Sequence, residues 1–306
     1  MRIAIMGSGG MGGYVGAKLS AAGHEVIFIA RGEHLKAIQE KGLKLLSPDG
    51  DLHIQPAQAF EDTREVGRVD LIIFCVKLYD TEKAAQACQP MMDQNSFILS
   101  LQNGVESLDL INKIVGDHRT LGGAIYVSAH IESPGIIRHN GGTDIIQFAE
   151  ENNEKTPRTA CLEKILNQAG LKGICHDDIQ VMLWNKFILL SANAGMGSLT
   201  GLGIIGMLKD PDIAPMLRAA MKEAEAVAHA MGVKLADDLI DNIYKVFNNL
   251  DGHDLIASQA LDLQKGRKME LEWIQGSIHR LGKKYGVATP IHSTAYVALK
   301  RFAHGQ

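Results

Sequence analysis

Short apolar runs punctuate the first 176 or so residues, each followed by turn residues and then by a stretch with helical spacing. Runs at 3–6, 25–29, 71–76, 97–101 and 121–127 read as buried strands, and further extended pieces follow at 136–138 and 145–148. Strands alternating with helices predict βαβ units, hence a mostly parallel sheet with helices on both faces. The later pieces have shorter connections and suit antiparallel pairing. From about Asp178 the strand signal disappears. Asp210-Pro211 offers an N-cap and a first-turn proline, after which Ile213, Leu217, Ala220, Met221, Ala224, Val227, Ala228 and Met231 recur at helical spacing up to Gly232. Leu239 to Phe247 predicts another helix, and Met269 to Tyr285 a further one ending at Gly286. The glycine-rich stretch 195–206 is expected to be a loop between helices; it follows no strand, so it is not a phosphate site. The pattern divides the chain into an α/β domain over 1–177 and an all-helical domain over 178–306.

Composition narrows the classes. A length of 306 residues suits two domains. Lys and Arg total 31 against 35 Asp and Glu, a formal charge of −4, which provides no general field for nucleic acid or an anionic membrane. With 46% hydrophobic and 22% charged residues the chain can bury a core, which excludes disorder and low-complexity scaffolding. A membrane span needs about 18 uncharged apolar residues; the nearest approach, 181–195, carries a Lys in its first half. The N-terminal apolar run is too short for a signal peptide and leads straight into glycines. The four cysteines show no CxxC pair and the 12 histidines no HxxxH pair. A reduced, cytoplasmic protein without a metal site is the expectation.

Gly7-Ser8-Gly9-Gly10-Met11-Gly12 has the spacing GxGxxG, with an apolar strand before it, a helix after it from about Tyr14 to Ala22, and Gly23 before the next strand. In that context the glycines let the backbone approach a pyrophosphate at a helix N-terminus, as in a Rossmann-type dinucleotide site. The second strand ends Phe28-Ile29-Ala30-Arg31, with no acid until Glu33. An NAD site usually has Asp or Glu there, whereas Arg31 suits a 2′-phosphate, so NADP(H) is favoured. Lys77 and Asn103 stand after two other strands, at the carboxyl edge where ligands of open α/β sheets bind.

Lys186 is the only charge between Val181 and Gly195. A helix so apolar is buried, and a fully buried lysine tends to a pKa about 3–5 units lower; such a group can donate a proton near neutral pH. Glu270, on a helical wheel with Ile274, Ser277 and Leu281, is a carboxylate in an apolar stripe and needs a partner.

The ordered set Gly7-x-Gly-x-x-Gly12, Ala30-Arg31-Gly32, Val76-Lys77, Gln102-Asn103-Gly104, Trp184-Asn185-Lys186 and Met269-Glu270-Leu271-Glu272 resembles the ketopantoate reductases (2-dehydropantoate 2-reductases) over nearly the whole chain. The resemblance implies a Rossmann domain, a helical C-terminal domain of the 6-phosphogluconate-dehydrogenase type, and an active site in the cleft between them. It implies reduction of 2-dehydropantoate to pantoate with NADPH, on the route to pantothenate and coenzyme A. By the same resemblance Lys186 is the general acid that neutralises charge building on the ketone oxygen. Asn103 touches substrate and nicotinamide, Arg31 and Lys77 lie near the adenosine phosphate, Ala129 gives a backbone contact to the cofactor, and Glu270 and Ser258 form the wall from the helical domain. No nucleic acid or membrane partner is implied; family members occur as monomers, homodimers and larger forms. The family pattern has an Asn one helical turn after the lysine and another a turn later; here Leu190 and Ala194 stand there, with Asn193 one residue off. Loss of a buried amide that bonds the substrate changes specificity strongly, so a paralogous oxo acid reductase also fits. A redox sensor that binds NADP(H) fits less well, because it has no need of Lys186 and Glu270.

Overall fold

The computed structural model describes residues 1–248 and 255–305. The chain forms two compact units, Met1–Gln102 with Ser107–Ile179, and Asn103–Glu106 with Gln180–Gln306.

In chain order the first unit contains β1 (Arg2–Met6), α1 (Gly10–Ala21), β2 (Glu25–Ile29), α2 (Gly32–Lys41), β3 (Leu43–Leu46), β4 (Leu52–Ile54), β5 (Gln58–Phe60), β6 (Leu71–Phe74), α3 (Thr81–Cys88), β7 (Phe97–Ser100), α4 (Ser107–Val115), β8 (Thr120–Ser133), β9 (Ile136–Ala149), α5 (Pro157–Gln168) and β10 (Lys172–Cys175). Six strands pair in parallel in the order β5-β2-β1-β6-β7-β8. This is the doubly wound Rossmann order, and it reverses direction at β1 and β6. Alternate residues of each central strand feed opposite faces: Ile3, Ile5, Phe28 and Ile73 join one apolar cluster, Ala4, Met6, Ile27 and Phe74 the other. Such strands read as continuous apolar runs because both faces are covered.

The extended pieces expected at 136–138 and 145–148 are one strand, β9. It continues through Gly141 and Gly142 because its antiparallel ladder with β8 absorbs register shifts there. Strands β3, β4, β5 and β10 lack the expected apolar run: each has only three or four residues, and alternate positions such as Lys44 and His53 are exposed.

The second unit is helical among its described residues: α6 (Ile179–Thr200, whose first residue still groups with the first unit), α7 (Ile204–Lys209), α8 (Ile213–Ala230), α9 (Leu239–Asn248), α10 (Ser258–Gln264), α11 (Gln275–Tyr285) and α12 (Pro290–Leu299). The Asp210 carboxylate accepts from the backbone N–H groups of Asp212 and Ile213 at 2.9 Å, capping the approach to α8. The buried face of α8, including Leu217, Ala220, Met221 and Ala224, packs on α11 and α12.

The structure departs from the sequence expectation in two places. The stretch 195–206 is mostly helix, since α6 runs to Thr200 and α7 begins at Ile204. Its glycines make room for neighbours: a Cβ on Gly195 would stand 3.1 Å from Gln275 Nε2, and one on Gly197 3.1 Å from the Leu202 carbonyl oxygen. The helix expected from Met269 begins only at Gln275. Residues 269–274 are irregular, with the Glu270 carbonyl accepting from Trp273 and Ile274 N–H.

No helix among the described residues is long and apolar enough to cross a membrane.

Candidate active site

The glycine turn follows directly from β1. Gly7 has φ of 95°, where a side chain is strained, and a Cβ there would stand 2.8 Å from Val76 Cγ1. A Cβ on Gly12 would overlap the Gly7 carbonyl oxygen, so the turn closes only on glycine. Gly9 has open space where a side chain would be, and it starts α1 without any side-chain cap. The first N–H groups of that helix are therefore left for a ligand, and the helix dipole favours an anion there. These features fit the pyrophosphate of a dinucleotide.

Gly10 lies against the Ala129 carbonyl of β8, which brings Ala129 to the turn. Met11 packs on the core beneath. Ser8 is buried with its hydroxyl turned inward to the Ile5 carbonyl at 3.3 Å, so it serves the turn through its backbone.

His34, unremarked in the sequence, braces this turn. Its Nδ1 accepts from Gly135 N–H at 3.1 Å, so Nε2 carries the proton and donates to the Ser8 carbonyl at 2.8 Å. Burial lowers its pKa below the usual histidine value.

Arg31 stands between β2 and α2, and its side chain is 76% exposed; one nitrogen reaches Asp80 at 3.2 Å. Glu33, the first acid after β2, is turned to Lys36 at 2.8 Å. The end of β2 thus presents a guanidinium and no carboxylate of its own. Half-buried Lys77 follows β6, and buried Gln102 ties the ends of β6 and β7 together by donating to the Val76 carbonyl at 3.0 Å and to the Thr81 hydroxyl at 2.8 Å.

The second unit gathers the other candidates: Asn103, Lys186, Asn193, Ser258 and Glu270. Glu106 anchors the segment that carries Asn103, accepting from the Ser277 hydroxyl and from Arg280 Nη2 at 3.0 Å. Helix α6 is buried on most sides, but Lys186, Leu189, Leu190 and Asn193 are half-buried and share one face at helical spacing. Asn193 follows Lys186 by two turns. Its Oδ1 is buried without a hydrogen-bond partner, a costly state that a ligand's donor would relieve. Ala194 is buried at 3% exposure. Glu270 is buried at 5% exposure although it lies before α11 and not on its face. Ser258 opens α10 and is exposed.

A buried polar network holds α6 in place. Gln275 donates through Nε2 to the Ser191 carbonyl at 3.0 Å, and its Oε1 accepts from Gln259 Nε2 at 2.8 Å. The Ser191 hydroxyl lies 3.2 Å from His292 Nε2, and His292 Nδ1 lies 2.9 Å from Glu223. Glu223 also accepts from the N–H groups of Ile291 and His292, at the start of α12. This Ser-His-Glu order has the connectivity of a hydrolase triad, but Ser191 is fully buried and no substrate reaches it. Its work is to lock the helix that carries Lys186. Nothing in local spacing announces such contacts, since they join positions 16 to 101 residues apart.

The profile of the family described as "Ketopantoate reductase PanE/ApbA" matches residues 3–153, and that of its C-terminal domain matches 178–303. The chain belongs to the ketopantoate reductase family. Among its relatives, a 2-dehydropantoate 2-reductase of Mesorhizobium japonicum is 28% identical, with 99% of this chain and 98% of the relative covered. A PanE/ApbA family ketopantoate reductase of Ralstonia eutropha JMP134 superposes with a TM-score of 0.88 at 32% identity, covering 99% and 98% of the two chains. A D-mandelate dehydrogenase solved with NADH and anilino(oxo)acetate has a TM-score of 0.90 at 25% identity, again covering 99% and 98%. The family member described here is an oxidoreductase acting on a CH–OH group, and a nicotinamide cofactor suits both that class and the Rossmann turn.

Proposed function

We propose that this ketopantoate reductase family member reduces 2-dehydropantoate to (R)-pantoate with NADPH, Lys186 acting as general acid. The observation that carries the reading is the half-buried face of α6. It sets Lys186 two turns before Asn193, whose buried amide oxygen has no partner. When bound, NADPH supplies the hydride. The chain's own groups do the rest. The ammonium of Lys186 donates a hydrogen bond and then a proton to the substrate's ketone oxygen as charge gathers there. Asn193 Oδ1 accepts from the terminal hydroxyl of 2-dehydropantoate, a donor that simple alkyl or aryl oxo acids lack. Asn103 and Glu270 orient substrate and nicotinamide, and Ser258 completes the wall. The glycine turn holds the pyrophosphate through the N–H groups at the start of α1, with Ala129 contributing its backbone, while the Ser8 N–H is bonded to the Ile29 carbonyl. Arg31 and Lys77 take the 2′-phosphate, and the absence of a carboxylate at the end of β2 supports NADPH over NADH.

A second reading, reduction of a 2-oxo acid with a bulkier apolar side chain, is favoured by Leu190 and Ala194 at positions where the family pattern has amides. Rates of NADPH and NADH oxidation with 2-dehydropantoate, its deoxy analogue and phenylglyoxylate separate the two. The first reading expects 2-dehydropantoate to lead its deoxy analogue by about tenfold to a hundredfold in kcat/KM, because Asn193 is left unpaired by the analogue. Faster turnover of the deoxy or phenyl compound would move the protein to the second reading.

A further inference from the structure

His139, Asp144 and Asp49 offer one ligand atom each, all within 4.8 Å of one another. His139 lies in β9 and is 3% exposed. Its Nδ1 is 2.9 Å from the Ser47 hydroxyl and 3.8 Å from Asp49 Oδ2. Its Nε2 is buried without a hydrogen-bond partner and faces Asp144 Oδ1 at 3.6 Å, beyond hydrogen-bond reach. The same Asp144 oxygen accepts from the hydroxyl of Tyr14 at 2.7 Å. Tyr14 is buried, and its hydroxyl is the donor in this bond.

In the tautomer that carries its proton on Nδ1, the ring donates to Ser47 and presents a lone pair at Nε2 toward Asp144. A lone pair facing a carboxylate oxygen in a closed site is costly unless a cation stands between them. Each facing group already has a hydrogen-bond partner that orients it, Ser47 for His139 and Tyr14 for Asp144, as metal ligands do. An ion about 2.0–2.1 Å from each atom would see them at about 120°, close to the angles of a tetrahedral or trigonal site. Asp49, half-exposed on the segment between β3 and β4, lies 3.8 Å from Nδ1 and within 4.8 Å of the cluster, where a shift of its side chain would make it a third ligand.

We infer that His139, Asp144 and Asp49 form a binding site for a first-row divalent cation of the zinc type, with one position left open. One imidazole with two carboxylates suits such an ion better than Mg2+, which prefers an all-oxygen shell with several waters. Positions 49, 139 and 144 share no local spacing, so a search for HxxxH or CxxC passes over them.

The test is a calorimetric titration of the full chain with Zn2+, and with Mg2+ as control, in a Cys161→Ser background that removes the exposed thiol. The expected result is one Zn2+ per chain with micromolar affinity, no matching Mg2+ isotherm, and a Tm raised by about 5 °C at hundredfold excess over Kd. His139→Gln and Asp144→Asn should each weaken binding at least about tenfold. Asp49→Asn changes only an exposed side chain, so it should fold and still weaken binding about tenfold, which keeps the test decisive if the buried variants fail to fold. No stoichiometric Zn2+ binding, or binding that Asp49→Asn and the other two leave intact, overturns the assignment.

Discussion

The glycine turn after β1 and the lysine helix α6 are built on opposite plans. The turn is specified largely by neighbours in sequence: Gly7 must take a positive φ, Gly12 must leave room for the Gly7 carbonyl, and the groups it offers to a ligand are backbone N–H. The helix is specified at a distance. Lys186 has the position it has because Gln275 and His292, some 84 and 101 residues from Ser191, grip the middle of α6. A backbone site tolerates little change in its own residues and depends on few distant ones, here Val76, Ala129 and His34. A side-chain site is exposed to changes in every residue that locks its helix.

Gly12→Val attacks the first plan most severely. Its side chain would overlap the Gly7 carbonyl and reach Ile5, an overpacking worth about 1–3 kcal/mol of stability. NADPH binding and turnover are both expected to vanish while the second unit's helices persist by circular dichroism. Arg31→Ala tests cofactor choice: removal of a charge-assisted bidentate contact should raise the KM for NADPH about tenfold to a hundredfold and leave NADH unchanged. Equal losses with both cofactors would remove Arg31 from the phosphate site. On the second plan, Leu190→Asn restores an amide one turn after the lysine and should shift the ratio of kcat/KM for 2-dehydropantoate over phenylglyoxylate upward by about tenfold.

The smallest effect is on stability against pH. His34 has a folded pKa below its ordinary 6.5 because burial disfavours the imidazolium. The unfolded chain then takes up the proton first, so the contribution is whole above about 6.5 and is lost as pH falls through the lower folded value. His34→Gln should flatten the acid limb of the Tm profile in part, since His24 and His279 are shifted the same way, largely by desolvation.

The same contrast decides what could be read from the amino acids alone. Five of the six parallel strands and the glycine turn are local patterns, apolar runs and fixed spacings, and their order is visible in the chain; β5, only Gln58-Ala59-Phe60, has no such run. Helix α8 is equally plain, since Leu217, Ala220, Met221 and Ala224 form one stripe. The glycines at 195 and 197 suggest a loop by propensity, yet tertiary packing against Gln275 and Leu202 keeps them in helix α6. Glu270 precedes the helix, which begins only at Gln275, so its burial does not come from a place on the apolar stripe of α11. His34, Glu106 and the Asp49-His139-Asp144 cluster are invisible for one reason: each acts on a partner far away in sequence, and a lone His or acid carries no signal of its partner.

In the proposed reaction the glycine turn holds the cofactor and α6 supplies the proton. Paired measurement of NADPH affinity and single-turnover hydride transfer in Lys186→Ala tests it directly. The prediction is a Kd for NADPH unchanged within about threefold and a transfer rate lowered by about 10²–10⁴. A transfer rate equal to that of the parent protein, with binding intact, would contradict the assignment of Lys186 as the acid.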